Sequence, residues 1–63
     1  MTQREWRAEV EKQLVLCEMT RKELASLIGR SYSYVNGVIA GQIRSKTTVE
    51  MISDALGIEP YSE

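Results

Sequence analysis

Arg21, Lys22, Arg30, Arg44 and Lys46 fall within residues 20–46 against a single acid, Glu23, which leaves that segment at +4. Residues 1–19 set three bases against four acids, and residues 47–63 carry four acids and no base. A basic middle between acidic ends suits a polyanion, because clustered cations displace the counterions of a charged backbone and orient the molecule on it. The same charges equally describe a mixed solvated surface, and the overall net charge of −1 favours neither reading. Other chemistries lack their residues. There is no histidine to serve as an imidazole base or to complete the usual metal-ligand sets. Cys17 is the single thiol, so no intramolecular disulfide can form, and no base stands near it in sequence to activate it. Neither a glycine-rich phosphate loop nor a G-x-S-x-G elbow occurs. A 63-residue chain has one small core and little room for a pocket. The expectation is a protein that is not an enzyme, uses no cofactor or metal, and takes no small-molecule substrate.

These side chains must be held by helices, because the helix starts and stops are legible. Thr2 with Glu5, Thr20 with Glu23 and Thr47 with Glu50 read as capping boxes. In each, the hydroxyl accepts the N–H three residues on and the carboxylate returns to the cap's own N–H. Ser31 is a fourth N-cap. Gly29, Gly41 and Gly57 stand where the left-handed conformation closes a helix. The predicted helices span 3–17, 21–28, 32–40 and 48–56.

The apolar spacing agrees with that reading. Trp6, Val10, Leu14 and Cys17 form one stripe of the first helix, with Cys17 expected as a small buried hydrophobe. Leu24, Ala25 and Ile28 give the second helix its inner face, Val35, Val38 and Ile39 the third, and Val49, Ile52, Ala55 and Leu56 the fourth. Met19, Ile43 and Ile58 close the core from the connections. Tyr34 reads as a packing residue and Trp6 as a core anchor. Val15 and Leu16 lie off the stripe. No strand alternation appears. The fold class is therefore all-α, a small four-helix domain over 1–63 with at most a short fifth turn in the tail. No apolar window is long enough to span a membrane, the N-terminus does not read as a signal peptide, and the lone cysteine suits a cytoplasmic, reducing compartment.

Residues 20–41 hold two short helices joined by about four residues. Ala25 is small where the helices cross, Gly29 permits the turn, Val35 faces the core and Gly41 ends the unit, the arrangement of a helix-turn-helix. The segments Met19-Thr20-Arg21-Lys22-Glu23-Leu24-Ala25, Ser31-Tyr32-Ser33-Tyr34-Val35-Asn36 and Ile52-Ser53-Asp54-Ala55-Leu56-Gly57-Ile58, in that order and spacing, resemble the Cro/CI-type (XRE-like) phage repressor helix-turn-helix family from Trp6 to Ile58. The chain departs from that pattern at Arg21, where glutamine is usual, at Arg30, where a small apolar residue is usual, and at Gly37, where a long polar residue is common.

The resemblance implies a lambda-repressor-like domain that binds double-stranded DNA and regulates transcription, as a repressor in most such proteins. It places residues 32–40 in the major groove, with Tyr32, Ser33 and Asn36 as base readers. Asn36 can pair with the adenine N6 and N7 edge, Ser33 can donate or accept, and Tyr32 can meet a thymine methyl or a phosphate. Arg21, Arg30, Ser31, Gln42, Arg44 and Lys46 become contacts to the DNA backbone. Gly37 invites close approach of the helix backbone to DNA. The resemblance also implies a weak homodimer on DNA, with Ile58, Pro60, Tyr61 and an edge of Trp6 as candidate contacts. The alternative is a protein-interaction module, antirepressor or antitoxin-like, on the same fold. What separates the two is whether the basic residues share the face of Tyr32, Ser33 and Asn36.

Overall fold

The computed structural model describes residues 1–61. Four helices follow one another: α1 (Gln3–Leu16), α2 (Arg21–Ile28), α3 (Tyr32–Ala40) and α4 (Lys46–Leu56). The described residues contain no strand and no fifth turn, and none of the four helices is long and apolar enough to cross a membrane.

The first two capping boxes form as the sequence predicts. The Thr2 N–H donates to Glu5 Oε1 at 2.9 Å and the Thr20 N–H to Glu23 Oε1 at 2.9 Å, while each threonine hydroxyl accepts the glutamate's own N–H. The Thr2 N–H bond, and secondarily the Thr2 hydroxyl, hold the Glu5 carboxyl below the ordinary glutamate pKa. Ser31 caps α3 through Tyr34 N–H. The third box does not form. α4 begins two residues earlier than predicted, with Ser45 as its N-cap accepting from the Thr48 N–H. Starting at Lys46 places Thr48 in the buried face, where its hydroxyl accepts from Ser45 Oγ at 2.9 Å. That arrangement gives the buried Thr48 hydroxyl a partner.

All four helices close in one way. The residue after the last turn takes a left-handed conformation while its N–H and the next N–H return to carbonyls of the final turn. Gly29, Gly41 and Gly57 serve three of them. α1 ends instead on Glu18, at φ 53°, with Met19 N–H on the Leu14 carbonyl at 2.9 Å. This stop carries no sequence signal.

Trp6, Val10 and Leu14 of α1, Leu24 and Ala25 of α2, Val35, Val38 and Ile39 of α3, and Val49, Ile52 and Leu56 of α4 form one core. Met19, Ile28, Tyr34, Ile43, Ile58 and Tyr61 pack around it. Two core expectations are corrected. Cys17 is exposed, because the chain turns at Glu18 and sends Met19 inward in its place. Ala55 is exposed, because α4 turns Ser53 inward to meet the Trp6 indole and so rotates Ala55 out. Trp6 is wholly buried, with the Tyr61 ring 5.3 Å from its own at a tilt of 51°. It therefore offers no edge for a dimer contact.

Candidate nucleic-acid interface

α3 rotates about 100° per residue, and its residues sort sharply by burial. Val35, Gly37, Val38 and Ile39 are buried, and Tyr34 is half-buried against the core. What remains outside is a stripe of Tyr32, Ser33, Asn36 and Ala40, within about 100° of the circumference. Tyr32 is 49 % exposed, Ser33 is exposed, and Asn36 and Ala40 are half-buried. The three predicted base readers thus lie together on the one face that α3 presents to solvent. Ala40 joins them. The signal that could have found it is its spacing, one turn beyond Asn36.

Gly37 does not belong to that face. An added Cβ would stand 2.5 Å from Ile43 Cδ1 and 3.0 Å from Ile43 Cγ1. The chain after α3 folds back here, with the Gln42 and Ile43 N–H groups both donating to the Gly37 carbonyl, at 2.9 and 3.1 Å. Gly37 is a packing glycine that admits Ile43. The expectation that it brings the helix backbone close to DNA is overturned.

Of the basic residues, Arg21 borders the stripe. Arg21, at the start of α2, donates from Nη1 to Asn36 Oδ1 at 2.6 Å and from Nη2 to Glu11 Oε1 at 2.7 Å. Glu11 also receives Arg7 Nε at 3.5 Å. Glu11 has no sequence signal for this role, since it sits on α1, ten residues before its partner. Tyr34 ties α3 to the start of α4 through the Thr48 hydroxyl, which donates to its phenolic oxygen at 3.5 Å. Hydrogen bonding from Ser45, and then from Thr48, holds the Tyr34 phenol below the ordinary tyrosine pKa. Burial opposes that shift, and the nearby positive charge of Arg30 adds a smaller push downward. Arg30 donates to the Gly29 carbonyl at 3.3 Å, and Arg44 and Lys46 flank Ser45 in the chain. Ser31, Gln42, Arg44 and Lys46 are at or near helix ends; Ser31, Gln42, Arg30, Arg44 and Lys46 are exposed.

Charge within the helices follows the same division. α1 and α2 carry Glu5 and Glu23 in their first turns, whereas α3 and α4 have no acid there. A helix N-terminus carries about half a positive charge. Lys46, in the first turn of α4, adds to that positive end rather than offsetting it. Arg30 and Lys46 form no ion pair among the described residues. Neither α3 nor α4 thus has a first-turn acid to offset its positive end.

No family model, curated protein or solved structure matches the chain.

Proposed function

We propose that this chain is a cytoplasmic, sequence-specific double-stranded DNA-binding domain of the Cro/repressor helix-turn-helix type, with a lambda-repressor-like arrangement of its helices, acting as a transcriptional regulator and not as an enzyme. The observation that carries the reading is the single solvent stripe of α3. Tyr32, Ser33 and Asn36 occupy it, with Arg21 bonded to Asn36 at its border. α3 is nine residues long, about 13 Å of helix, which suits insertion of its N-terminal half into a major groove about 12 Å wide. In this reading Tyr32, Ser33 and Asn36 meet base edges. Arg30, Arg44, Lys46, Ser31 and Gln42 hold the phosphates on either side, and two chains share a two-fold site as a weak dimer.

The test is fluorescence anisotropy on duplexes flanking the protein's own gene, at several salt concentrations. Three or four phosphate contacts give a log–log salt slope of roughly −3 to −4. No binding at low salt, or an affinity indifferent to salt, would discard the proposal.

A second reading has one observation in its favour. Val15, Leu16 and Leu27 are large apolar side chains 76 %, 65 % and 62 % exposed. A protein-interaction module would use such residues and leave α3 idle. Substituting Val15 and Leu16 with serine leaves DNA affinity unchanged if α3 is the working surface.

A further inference from the structure

We infer that Glu11, on α1, is a positioning residue for sequence reading: it anchors Arg21, and Arg21 in turn holds the Asn36 amide in one orientation on the stripe of α3. The inference rests on the DNA-binding reading above and adds to it how one of the readers is held.

The contacts run across three helices. Glu11 Oε1 accepts from Arg21 Nη2 at 2.7 Å, and Arg21 Nη1 donates to Asn36 Oδ1 at 2.6 Å. Both bonds leave one planar guanidinium whose donors stand in a fixed fork, so holding one end sets the other. A guanidinium only donates, so the oxygen end of the amide faces it and the nitrogen end is turned away. Oδ1 keeps a second lone pair. Nδ2 donates to no described residue and is not an enclosed atom without a partner. The amide therefore retains a donor and an acceptor for a base edge. What the contact fixes is the amide's orientation, not its choice of base.

Glu11 supplies that hold from outside the reading face. It belongs neither to the core nor to the stripe, and its side chain is 47 % exposed against 28 % for Arg21. Arg7 Nε, one turn earlier on α1, gives the carboxylate a second and longer tie at 3.5 Å. A loose asparagine must be ordered when it meets its base, and the matched complex bears that cost while a mismatched one does not. Holding Asn36 beforehand therefore raises sequence preference. The carboxylate also has a separate effect. Its negative charge offsets the attraction of Arg21 for any phosphate. Glutamine at position 11 keeps the acceptor and removes the charge, whereas alanine removes both.

The experiment compares the full chain with Glu11→Ala, Glu11→Gln, Arg21→Met and Asn36→Ala, each first established as folded by a circular dichroism melt. Bound duplexes are selected from a random-sequence pool, and affinity is measured on one duplex of unrelated sequence. Asn36→Ala should flatten the preference at one position per half-site and so identify the position it reads. There, Glu11→Ala and Arg21→Met should lower the wild-type enrichment by about three- to tenfold, with the other positions unchanged, while Glu11→Gln retains it. Affinity for the unrelated duplex should move the opposite way. Glu11→Ala and Glu11→Gln should both raise it by about twofold or more, because each removes a negative charge beside the interface. A residue that only stabilised the fold would weaken both kinds of binding when replaced. If the alanine variant does not fold, Arg21→Met carries the same test. Wild-type preference kept by a folded Glu11→Ala or Arg21→Met chain, preference lost in Glu11→Gln, or no position flattened by Asn36→Ala overturns the inference and leaves DNA binding intact. A wild-type chain that enriches no sequence at all overturns the DNA-binding reading itself.

Discussion

The Trp6 indole N–H donates to Ser53 Oγ at 2.9 Å, joining α1 to α4 across 47 residues inside the core. Ser53 passes the bond on, donating to the Val49 carbonyl at 2.7 Å, so both buried polar groups are satisfied. Removing one partner of such a pair strands the other without water. Ser53→Ala should therefore destabilise the domain by about 1–3 kcal/mol, whereas alanine at exposed Ser26 should stay within about 0.5 kcal/mol of wild type. Urea denaturation followed by tryptophan fluorescence measures both. Equal midpoints for the two variants would mean that the indole bond contributes nothing.

Gly37 opposes two effects that a denaturation curve can rank. Leucine in place of a mid-helix glycine gains about 1 kcal/mol in helix propensity. It also drives a side chain into Ile43, where even a Cβ stands 2.5 Å from Cδ1, and overpacking of this kind costs about 1–3 kcal/mol. Steric cost should win, so Gly37→Leu lowers the thermal midpoint. Adding Ile43→Ala opens the space and should recover part of the loss. A Gly37→Leu chain more stable than wild type would show that Ile43 yields freely.

Glu18 ends α1 at φ 53°, a conformation that costs a side-chain-bearing residue about 1–2 kcal/mol. Glycine removes that strain but adds unfolded-state entropy worth about 0.5–1 kcal/mol. The balance favours Glu18→Gly by roughly 0.5–1 kcal/mol. A calorimetric midpoint below wild type would contradict it.

Glu5 titrates below the ordinary glutamate value because the Thr2 N–H bonds its carboxylate. A carboxyl whose pKa is depressed on folding stabilises the protein above its unfolded value, and that contribution fades as pH falls through the folded value. Glu5→Gln should thus narrow the stability gap between neutral and acidic pH rather than shift the whole profile evenly. Carboxyl titration by NMR, with Glu5 at or above an exposed glutamate, would remove the basis for this.

Lys46 and Arg30, at the two helix starts without first-turn acids, should each contribute about one unit of salt slope. Lys46→Ala and Arg30→Ala should weaken binding to all duplexes by similar factors. Lys12→Ala, on α1, serves as the control and should leave the slope unchanged. A sequence-dependent loss for Lys46→Ala would reassign it from phosphate to base.

Local chemistry made most of the helices legible. The Thr-x-x-Glu boxes at Thr2 and Thr20, the cap at Ser31 and the three closing glycines act within one or two turns, so residue order alone located α1, α2 and α3 to within a residue. The same locality explains the exposed stripe of α3, since Val35, Val38 and Ile39 leave only one side for Tyr32, Ser33 and Asn36. Packing between distant segments decided the rest. Thr47-x-x-Glu50 satisfies the capping pattern, but Ser45 starts α4 because Thr48 is needed inside, against Tyr34. Ala55 fits an apolar stripe, but the Trp6 indole draws Ser53 inward and turns Ala55 out. Gly37 reads as an open helix position until Ile43 returns over it. Arg21 and Asn36 were each identified as polar residues at useful places, yet their contact and its anchor on Glu11 depend on three helices meeting. Hydrogen bonds within a turn are written in neighbouring residues, whereas bonds between helices depend on how cores close, and only the tertiary structure fixes that.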